Sequence, residues 1–281
     1  MKRILVFFCF CHVYQVLFSQ SDLLVLTYNI RYNNPGDGHS AWPHRKLIML
    51  DSLNQLNGTI YCFQEVLDEQ YQDLKSGLPR YESYGIGRDN GKSKGEMAPI
   101  FYKKSEWICI NKGTFWLSET PEKPSKGWDA GLPRIVSWVQ LEQVSTAKKL
   151  FVFNTHFDHK GKEARIQSGI LLAQKVKEMA GEELFVIAGD LNLTSDHPSY
   201  QELIKISADS RKAAENIRGT DYSFAGFDVN NPPFPLHRID YLFVSGSIKV
   251  KEYDCPDWKQ DAAHWLSDHR PVLAKIQQFT N

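Results

Sequence analysis

Cysteine is scarce in this chain of 281 residues, which contains only five. Cys9 and Cys11 fall in an apolar amino-terminal stretch, and the other three are Cys62, Cys109 and Cys255. An odd number excludes a fully paired set of intramolecular disulfides, and no Cys-x-x-Cys spacing is present for a thiolate metal site. The sequence therefore excludes a disulfide-stapled module and gives cysteine chemistry no part in the function.

An excess of charge of either sign is also absent, because 33 Lys and Arg residues balance 33 Asp and Glu residues. Without Lys2 and Arg3 the count is 31 basic against 33 acidic side chains, a formal charge of −2. Such a surface gives little general attraction to a polyanion, which argues against nonspecific binding of long nucleic acid.

No apolar run reaches the roughly 20 residues that a membrane-spanning helix needs. The longest, residues 4–18, follows Lys2 and Arg3, is interrupted by His12 and Gln15, and ends before Ser19. A charged head, an apolar middle and a small-residue exit are typical of a secretory signal peptide. We expect residues 1–20 to be this signal peptide, residues 21–281 to form one domain, and the protein to be secreted or periplasmic without stable membrane insertion.

Short strand-like segments alternate with turns along the rest of the chain, and helical periodicity is confined to a few stretches. Strands are predicted at 23–30, 59–63, 98–102, 135–141, 150–155, 184–188 and 239–244. Helices are predicted at 45–56, 69–74 and 163–179, and long loops at 85–95, 121–133 and 224–235. Many strands with few helices indicate an α/β domain of packed sheets with helices outside.

Polar side chains that can titrate or bind a metal follow four of the apolar strands, and three more stand near the carboxyl end. They are Asn29, Glu65, His156 and Asp190, followed by Asp240, Asp268 and His269. One polar residue at a strand end is ordinary, but this recurrence indicates a convergent site on rigid elements.

These residue types suit phosphoester hydrolysis. Carboxylates are hard ligands for Mg²⁺ or Mn²⁺, and a cation at the phosphate neutralises charge while a neighbouring carboxylate takes a proton from water. Asp190 and Asn192, two apart, can orient one water molecule. His156 and His269 can donate hydrogen bonds to phosphoryl oxygens or protonate a leaving group.

Two of these residues, and Arg134 after Pro133, have purely structural alternatives. Asp240 can close a hydrogen-bond network with Arg238, and Asn29 can cap a turn. Arg134 can hold a phosphate with two hydrogen bonds or pair with a surface carboxylate.

Six motifs, in this order and spacing, resemble the endonuclease/exonuclease/phosphatase superfamily over residues 23–272. They are Thr27-Tyr28-Asn29-Ile30-Arg31, Gln64-Glu65, Thr155-His156-Phe157, Gly189-Asp190-Leu191-Asn192, Arg238-Ile239-Asp240-Tyr241 and Ser267-Asp268-His269. Each motif alone is weak, whereas the ordered set is very specific. The chain resembles secreted bacterial members related to the deadenylase-like branch.

The resemblance implies a four-layer sandwich of two packed mixed, mostly antiparallel β-sheets flanked by helices, with residues 21–281 as the catalytic domain. It also implies a Mg²⁺ cofactor, with Mn²⁺ as the alternative. Glu65 would be the principal metal ligand, Asn29 would contact metal or phosphate, and Asp268 would support the metal or His269. Arg31 stands where DNA-repair members carry an aspartate, which argues against repair-type activity.

The resemblance assigns the remaining roles as well. Asp190 would activate or position the attacking water, and Asn192 would orient the phosphate. Asp240 would belong to the catalytic polar network, His269 would stabilise charge on the phosphoryl group, and His156 occupies a position where some branches carry a histidine. The residues predicted to contact substrate are Asn29, Arg134, Asn192 and His269.

Three functions are consistent with the sequence. The first is a secreted phosphatase or phosphodiesterase that acts, as a monomer, on a small phosphorylated molecule such as a sugar phosphate, nucleotide or lipid headgroup. The second is a secreted nuclease for single-stranded nucleic acid. The third is a noncatalytic binding protein of the same fold, against which the intact set of Glu65, Asp190, Asn192 and His269 argues.

Overall fold

The structure of the protein is a computed structural model that describes residues 22–277. In chain order its elements are β1 (Leu23–Asn29), a 3₁₀ helix (Pro35–Ser40), α1 (Trp42–Leu56), β2 (Ile60–Gln64), α2 (Asp68–Gly77), β3 (Tyr81–Tyr84), β4 (Ile100–Lys103), β5 (Trp107–Trp116), β6 (Ile135–Gln143), β7 (Lys149–His156), α3 (Lys162–Ala180), β8 (Leu184–Asp190), α4 (Pro198–Ile204), β9 (Ala208–Asp209), α5 (Ser210–Ala213), β10 (Ala214–Gly219), β11 (Asp240–Val244), β12 (Val250–Cys255) and β13 (Val272–Ile276).

The strands form two mixed sheets. The first sheet has the order β10-β12-β13-β1-β2-β4-β3, and the second has the order β5-β6-β7-β8-β11-β9. Among residues 22–277 the pairs β1–β2, β10–β12 and β7–β8 are parallel, and the other eight pairs are antiparallel. The predicted fold class is confirmed, including the predominance of antiparallel pairing.

Strand β1 illustrates why the sheets are covered on both faces. Leu23 and Val25 point into the cluster between the two sheets, whereas Leu26 and Tyr28 point outward and pack with residues of α1 and α2. On the second sheet, Leu172 and other residues of α3 cover the outer face. A strand buried on both faces is apolar throughout rather than alternating, as β1 is. The order of layers is therefore helix, sheet, sheet, helix.

Helix α1 begins at Trp42 rather than at the predicted residue 45, with a proline in its first turn. Proline suits that position because the amide hydrogen it lacks would have no partner within the helix. Arg45 is fully buried, and its guanidinium donates hydrogen bonds to the backbone oxygens of Ile30, Arg31, Ser40 and Leu266. One cation thus fastens the segment after β1 to the segment before β13.

Several strands were not predicted from the sequence, among them β5, β10, β12 and β13. The predicted signal peptide, residues 1–20, lies outside the described residues. From Asp22 to residue 277 no helix combines the length and the apolar character needed to cross a membrane.

Candidate active site

The predicted site residues lie at one edge of the paired sheets. Asn29 ends β1, and Glu65 directly follows its parallel neighbour β2. His156 and Asp190 end the parallel strands β7 and β8 and stand opposite each other, while Asp240 begins antiparallel β11 opposite Asp190. Parallel strands end at the same edge and an antiparallel strand begins there, so the topology brings the five together.

A pocket of about 600 Å³ opens at this edge. It is lined by Arg31, Tyr32, Glu65, Glu96, Leu132, Arg134, His156, His159, Asp190, Asn192, Phe224, Ile239, Asp268 and His269. Of the predicted site residues, Asn29 and Asp240 lie behind the wall, since both are fully buried. The fold therefore collects every predicted residue in or directly behind one cavity.

Asn29 connects two of the carboxylates. Its Nδ2 donates to Glu65 Oε1 at 3.1 Å and to Asp190 Oδ2 at 2.9 Å, and it lies 3.4 Å from His269 Nε2. Its Oδ1 accepts from the backbone amide of Arg31 at 3.0 Å, which fixes the amide orientation. Asn29 thus caps a turn and also holds the carboxylates. The amide nitrogen, rather than the oxygen, faces them in this arrangement.

His269 and Asp240 form a buried pair in which His269 Nδ1 lies 2.8 Å from Asp240 Oδ2. The other ring nitrogen of His269, Nε2, lies 3.7 Å from Asp190 Oδ2. Burial opposes the charged imidazole, but Asp240 and Asp190 outweigh it and raise the pKa of His269 well above its ordinary value. Burial, together with the charge of Asp240, raises the pKa of Asp190 to about 7. The geometry indicates a cationic imidazole between two carboxylates.

The alternative that pairs Asp240 with Arg238 is wrong. Arg238 instead makes a two-point ion pair with Asp209, at 2.6 and 3.0 Å. Asp240 Oδ1 has no hydrogen-bond partner, and Oδ2 faces His269. The carboxylate of Asp240 is therefore directed to the imidazole at the site.

Asn192 and His156 lie beside Asp190, with His156 Nε2 3.5 Å from Asp190 Oδ2. Asn192 Nδ2 lies 3.0 Å from His156 Nε2 and donates to the oxygen of Phe157, and the Asn192 amide donates to Asp190 Oδ1 at 2.9 Å. Since an amide NH₂ can only donate, we assign His156 Nε2 as the acceptor and Nδ1 as the protonated nitrogen. Burial and the nearby Arg134 hold the pKa of His156 well below its ordinary value. His156 is therefore neutral.

Arg134 is buried at the pocket and combines features of both alternatives. Its Nε donates to Asp158 at 3.2 Å, and one terminal nitrogen lies 3.0 Å from His159 Nδ1. Its partner Asp158 is itself buried, so the ion pair is not a surface one. Its second terminal nitrogen has no hydrogen-bond partner and lies 3.9 Å from Glu96. That nitrogen is free to donate to an anionic ligand.

Glu65 and Asp268 lie on either side of the Arg31 guanidinium, each 3.9 Å from it. Asp37 anchors Arg31 with two hydrogen bonds of 3.0 Å. Tyr32 donates its backbone amide to Glu65 Oε2, and Glu65 itself has a φ of 60°, a conformation in which non-glycine residues are uncommon. Burial raises the pKa of Asp268, and the charge of Glu65 adds to this. These hard carboxylate oxygens are the donors that Mg²⁺ prefers.

A second set of possible ligands lies beside them. Atoms of Asp190, Asp240 and His269 all fall within 4.8 Å of one another, close enough to hold a metal ion. The donor sets in the pocket therefore fit a divalent cation, and the predicted assignment of Glu65, Asn29 and Asp268 as its ligands stays a prediction.

Glu96 is a pocket residue that the sequence analysis missed. It accepts two hydrogen bonds of 2.7 and 2.8 Å from Arg88, and its Oε2 lies 3.7 Å from His156 Nδ1. Burial raises its pKa, although Arg88 opposes the shift. Glu96 follows a glycine-rich loop and belongs to no recognisable motif. Its position just before the apolar segment at Met97 is the one signal that the sequence offers.

A family model for the endonuclease/exonuclease/phosphatase family matches residues 26–269. The chain belongs to this family. The predicted resemblance is thereby confirmed, and with it the coarse assignment as a hydrolase of phosphoesters.

Solved structures from bacteria agree with this family. A family member from Bacteroides vulgatus is 38% identical, with a TM-score of 0.88 over 92% of this chain and 100% of that one. A mannosyl-6-phosphatase from Bacteroides thetaiotaomicron is 35% identical, with a TM-score of 0.85 over 91% of this chain and 100% of that one. A curated relative, the 3'-5'-exoribonuclease subunit Ccr4 of the CCR4-Not complex from Candida albicans, is 24% identical over 84% of this chain but only 37% of its own length.

Proposed function

We propose that the protein is a secreted, divalent-metal-dependent phosphatase that acts on a small phosphorylated molecule, most specifically on a sugar phosphate. The observation that carries the proposal is the pocket itself. Its volume of about 600 Å³ falls in the range of small-ligand sites, and Asp190, His269 and Arg134 all line it. A monoester of hexose size fits such a cavity.

The charged side chains of the pocket would have different roles in phosphoester hydrolysis. A bound Mg²⁺ would supply electrostatic stabilisation of the phosphoryl oxygens and would be held by Glu65 and Asp268. Asp190 is a suitable general base, because its raised pKa of about 7 matches the working pH of most enzymes. The cationic His269, which Asp240 orients, would donate a hydrogen bond to a phosphoryl oxygen.

Arg134 and His156 would recognise the rest of the substrate. The terminal nitrogen of Arg134 that has no hydrogen-bond partner would donate to the phosphate or to sugar hydroxyls. Asn192 Nδ2 already donates to His156 Nε2 and to the oxygen of Phe157, so Asn192 would hold His156 in place. His156, neutral and protonated on Nδ1, offers a further donor beside Glu96. Several donors and acceptors around one compact cavity suit a sugar better than the apolar chains of a lipid.

Two observations favour a small substrate over a nucleic acid. The mannosyl-6-phosphatase relative is 35% identical over almost the whole chain. Two aromatic side chains in and beside the long loops are also unavailable for stacking on bases, whereas Phe234 is exposed. Trp116 is buried with its nitrogen bonded to Arg88 O, and Phe227 packs against Arg45. Phe224 remains at the pocket, where it packs edge-on against His269.

The proposal is tested by the hydrolysis of a substrate panel by the purified protein. The panel includes mannose 6-phosphate, glucose 6-phosphate, a nucleoside monophosphate, a phosphodiester, phospholipid vesicles and a single-stranded oligonucleotide, each with Mg²⁺, Mn²⁺ or EDTA. We expect release of phosphate from a sugar monoester that requires metal and stops with EDTA. Preferred cleavage of the oligonucleotide would replace this proposal with the nuclease alternative, and inactivity on every substrate in a folded, metal-loaded sample would favour the noncatalytic one.

A further inference from the structure

A second cluster of metal-ligating side chains lies outside the pocket. It consists of His39, Asp261 and His264, whose ligand atoms all lie within 4.8 Å of one another. His39 belongs to the 3₁₀ helix, whereas the other two belong to the segment between β12 and β13, more than 220 residues away. The fold has therefore brought together donors from two distant segments.

The two imidazoles present nitrogens to the same carboxylate. His39 Nε2 lies 2.9 Å from Asp261 Oδ2, and His264 Nδ1 lies 2.9 Å from Oδ1 and 3.1 Å from Oδ2. The two imidazole ring centroids are 5.0 Å apart. All three donors thus converge before any ion is bound, and only small side-chain rotations are needed to direct them at one point.

The backbone holds the carboxylate in place. Asp261 Oδ1 accepts from the amides of Ala263 at 2.8 Å and His264 at 2.9 Å, and together with His39 these contacts hold its pKa below the usual range. Gln260 donates to the backbone oxygen of His39 at 3.1 Å, which ties the two segments together beside the cluster. The carboxylate is therefore charged and oriented.

The three side chains of the cluster are partly exposed, so water molecules can complete the coordination of a bound ion. The side chain of His39 is 61% exposed, and those of Asp261 and His264 are 39% and 35% exposed. Three protein ligands with open positions make a site that exchanges with solvent rather than a closed structural centre.

We propose that His39, Asp261 and His264 form a binding site for a divalent transition-metal ion of the Zn²⁺ class, with water completing its coordination. Two imidazole nitrogens and one carboxylate oxygen suit Zn²⁺, Ni²⁺ or Cu²⁺, whereas an all-oxygen set suits Mg²⁺. The cluster and the carboxylates Glu65 and Asp268 therefore favour different ions. The donors replace their mutual hydrogen bonds with bonds to the metal, and the imidazoles bind as neutral ligands.

Such an ion would cross-link two segments that reach the pocket. The 3₁₀ helix carries Asp37, the anchor of Arg31, and the other segment leads to Asp268. A ligand that binds only the folded chain stabilises it by mass action, by about 2.7 kcal/mol at a hundred times its Kd. A bound ion would thus hold the two segments together beside the pocket, and its removal would release them.

Calorimetric titration of Zn²⁺ into the purified protein in excess Mg²⁺ tests the proposal, with thermal unfolding as the second readout. We expect wild type to bind Zn²⁺ at this site and to gain Tm on binding. His39→Ala and His264→Ala should each weaken that binding by on the order of tenfold or more and lose the gain in Tm. His237→Ala removes an exposed histidine outside the cluster and serves as the matched control, which should bind as wild type does.

Glu65→Gln separates this site from the pocket, because it alters a predicted Mg²⁺ ligand and should leave Zn²⁺ binding at the cluster unchanged. Two results would overturn the proposal: no Zn²⁺ binding by wild type in excess Mg²⁺, or equal affinity in wild type and in a double variant without both histidines. Neither readout depends on turnover, so the outcome is independent of the proposed phosphatase activity.

Discussion

Asn29 shows how one uncharged side chain organises several charged ones. Its amide nitrogen joins Glu65, a predicted metal ligand, to Asp190, the proposed base, while its oxygen is taken by the backbone of Arg31. Buried carboxylates that repel each other need such donors, since an unpaired buried charge is costly. Asn29 therefore sets the spacing of these two carboxylates.

Replacing Asp190 with asparagine preserves the shape of the side chain and removes the carboxylate that we propose as the general base. Asp190→Asn should lower kcat by about 10²–10⁴-fold, the usual contribution of general base catalysis, with little change in Tm. Steady-state kinetics on the preferred substrate measures the effect. Asp196→Asn is the matched control, because Asp196 is an exposed aspartate in the segment that follows β8. Near-normal kcat in folded Asp190→Asn would remove Asp190 from the role of base.

At Glu65, replacement by glutamine removes one negative charge from the predicted metal site. Glu65→Gln should weaken Mg²⁺ binding by about tenfold or more, because a neutral amide is a poorer ligand for a hard dication. Calorimetric titration of Mg²⁺ measures the affinity. The control Glu69→Gln alters an exposed carboxylate in the first turn of α2. If Glu65→Gln and Glu69→Gln bound Mg²⁺ equally well, Glu65 would not be the principal ligand.

Among the elements, exposed strands and strands with charged faces were not predictable, whereas apolar strands were, with the exception of β13, which is buried except at one residue. Strands β1, β2, β7 and β8 are buried along most of their length, so their sequences form continuous apolar segments. Strand β10 is almost entirely exposed, and β12 carries charged residues between its buried ones. Strand β5 is interrupted by a change of register between Cys109 and Asn111. Local sequence does not distinguish such strands from loops.

The edge strand β9 is fastened by the buried ion pair of Asp209 with Arg238. Despite burial, the hydrogen bonds from Arg238 hold the pKa of Asp209 below its ordinary value. A carboxyl whose pKa is lower in the folded chain stabilises the fold above its unfolded pKa, and this stabilisation is lost as pH falls through the folded value. Asp209→Asn should cost on the order of 3–5 kcal/mol at pH 7, because it leaves the Arg238 cation unpaired.

Chemical denaturation from pH 7 to pH 2 measures this effect. The free energies of unfolding of wild type and Asp209→Asn should converge at the acidic end, where Asp209 in the wild type is also protonated. Glu202→Gln is the matched control, since its pair with Lys205 has the same 2.6 Å length as the Arg238–Asp209 pair but is exposed. The control should change stability by less than about 1 kcal/mol. If Asp209→Asn and Glu202→Gln lost equal amounts of unfolding free energy, burial of the ion pair would not explain its contribution to stability.

At the scale of the whole molecule, the balance of charge distinguishes the two kinds of substrate. A chain with equal numbers of acidic and basic residues has no net positive charge to attract a polyanion. We expect kcat/KM for a sugar phosphate to fall less than about tenfold between 50 and 200 mM salt, whereas 6–10 phosphate contacts would cost about 10³–10⁵ in affinity. Initial rates measured across this range check the prediction. A steep loss would indicate multiple phosphate contacts and the nuclease alternative.

The sequence by itself determined the family, the layered fold and seven of the fourteen residues that line the pocket. Runs such as residues 184–188 are apolar because both faces of their strand are buried, and the polar residues that follow them mark the site. These signals lie within a few consecutive residues, so they can be read without knowledge of the fold.

Only the tertiary structure determined which polar and charged side chains contact one another. Asp240 and Arg238 are close in sequence, yet they pair with His269 and Asp209 respectively. Glu96 lines the pocket, and His39 contacts Asp261, which is more than 220 residues away in the sequence. No local sequence pattern predicts either contact. Such contacts arise from the packing of two sheets and their connecting segments. The charge state of each buried group follows from that packing, because desolvation and neighbouring charges exist only in the folded chain.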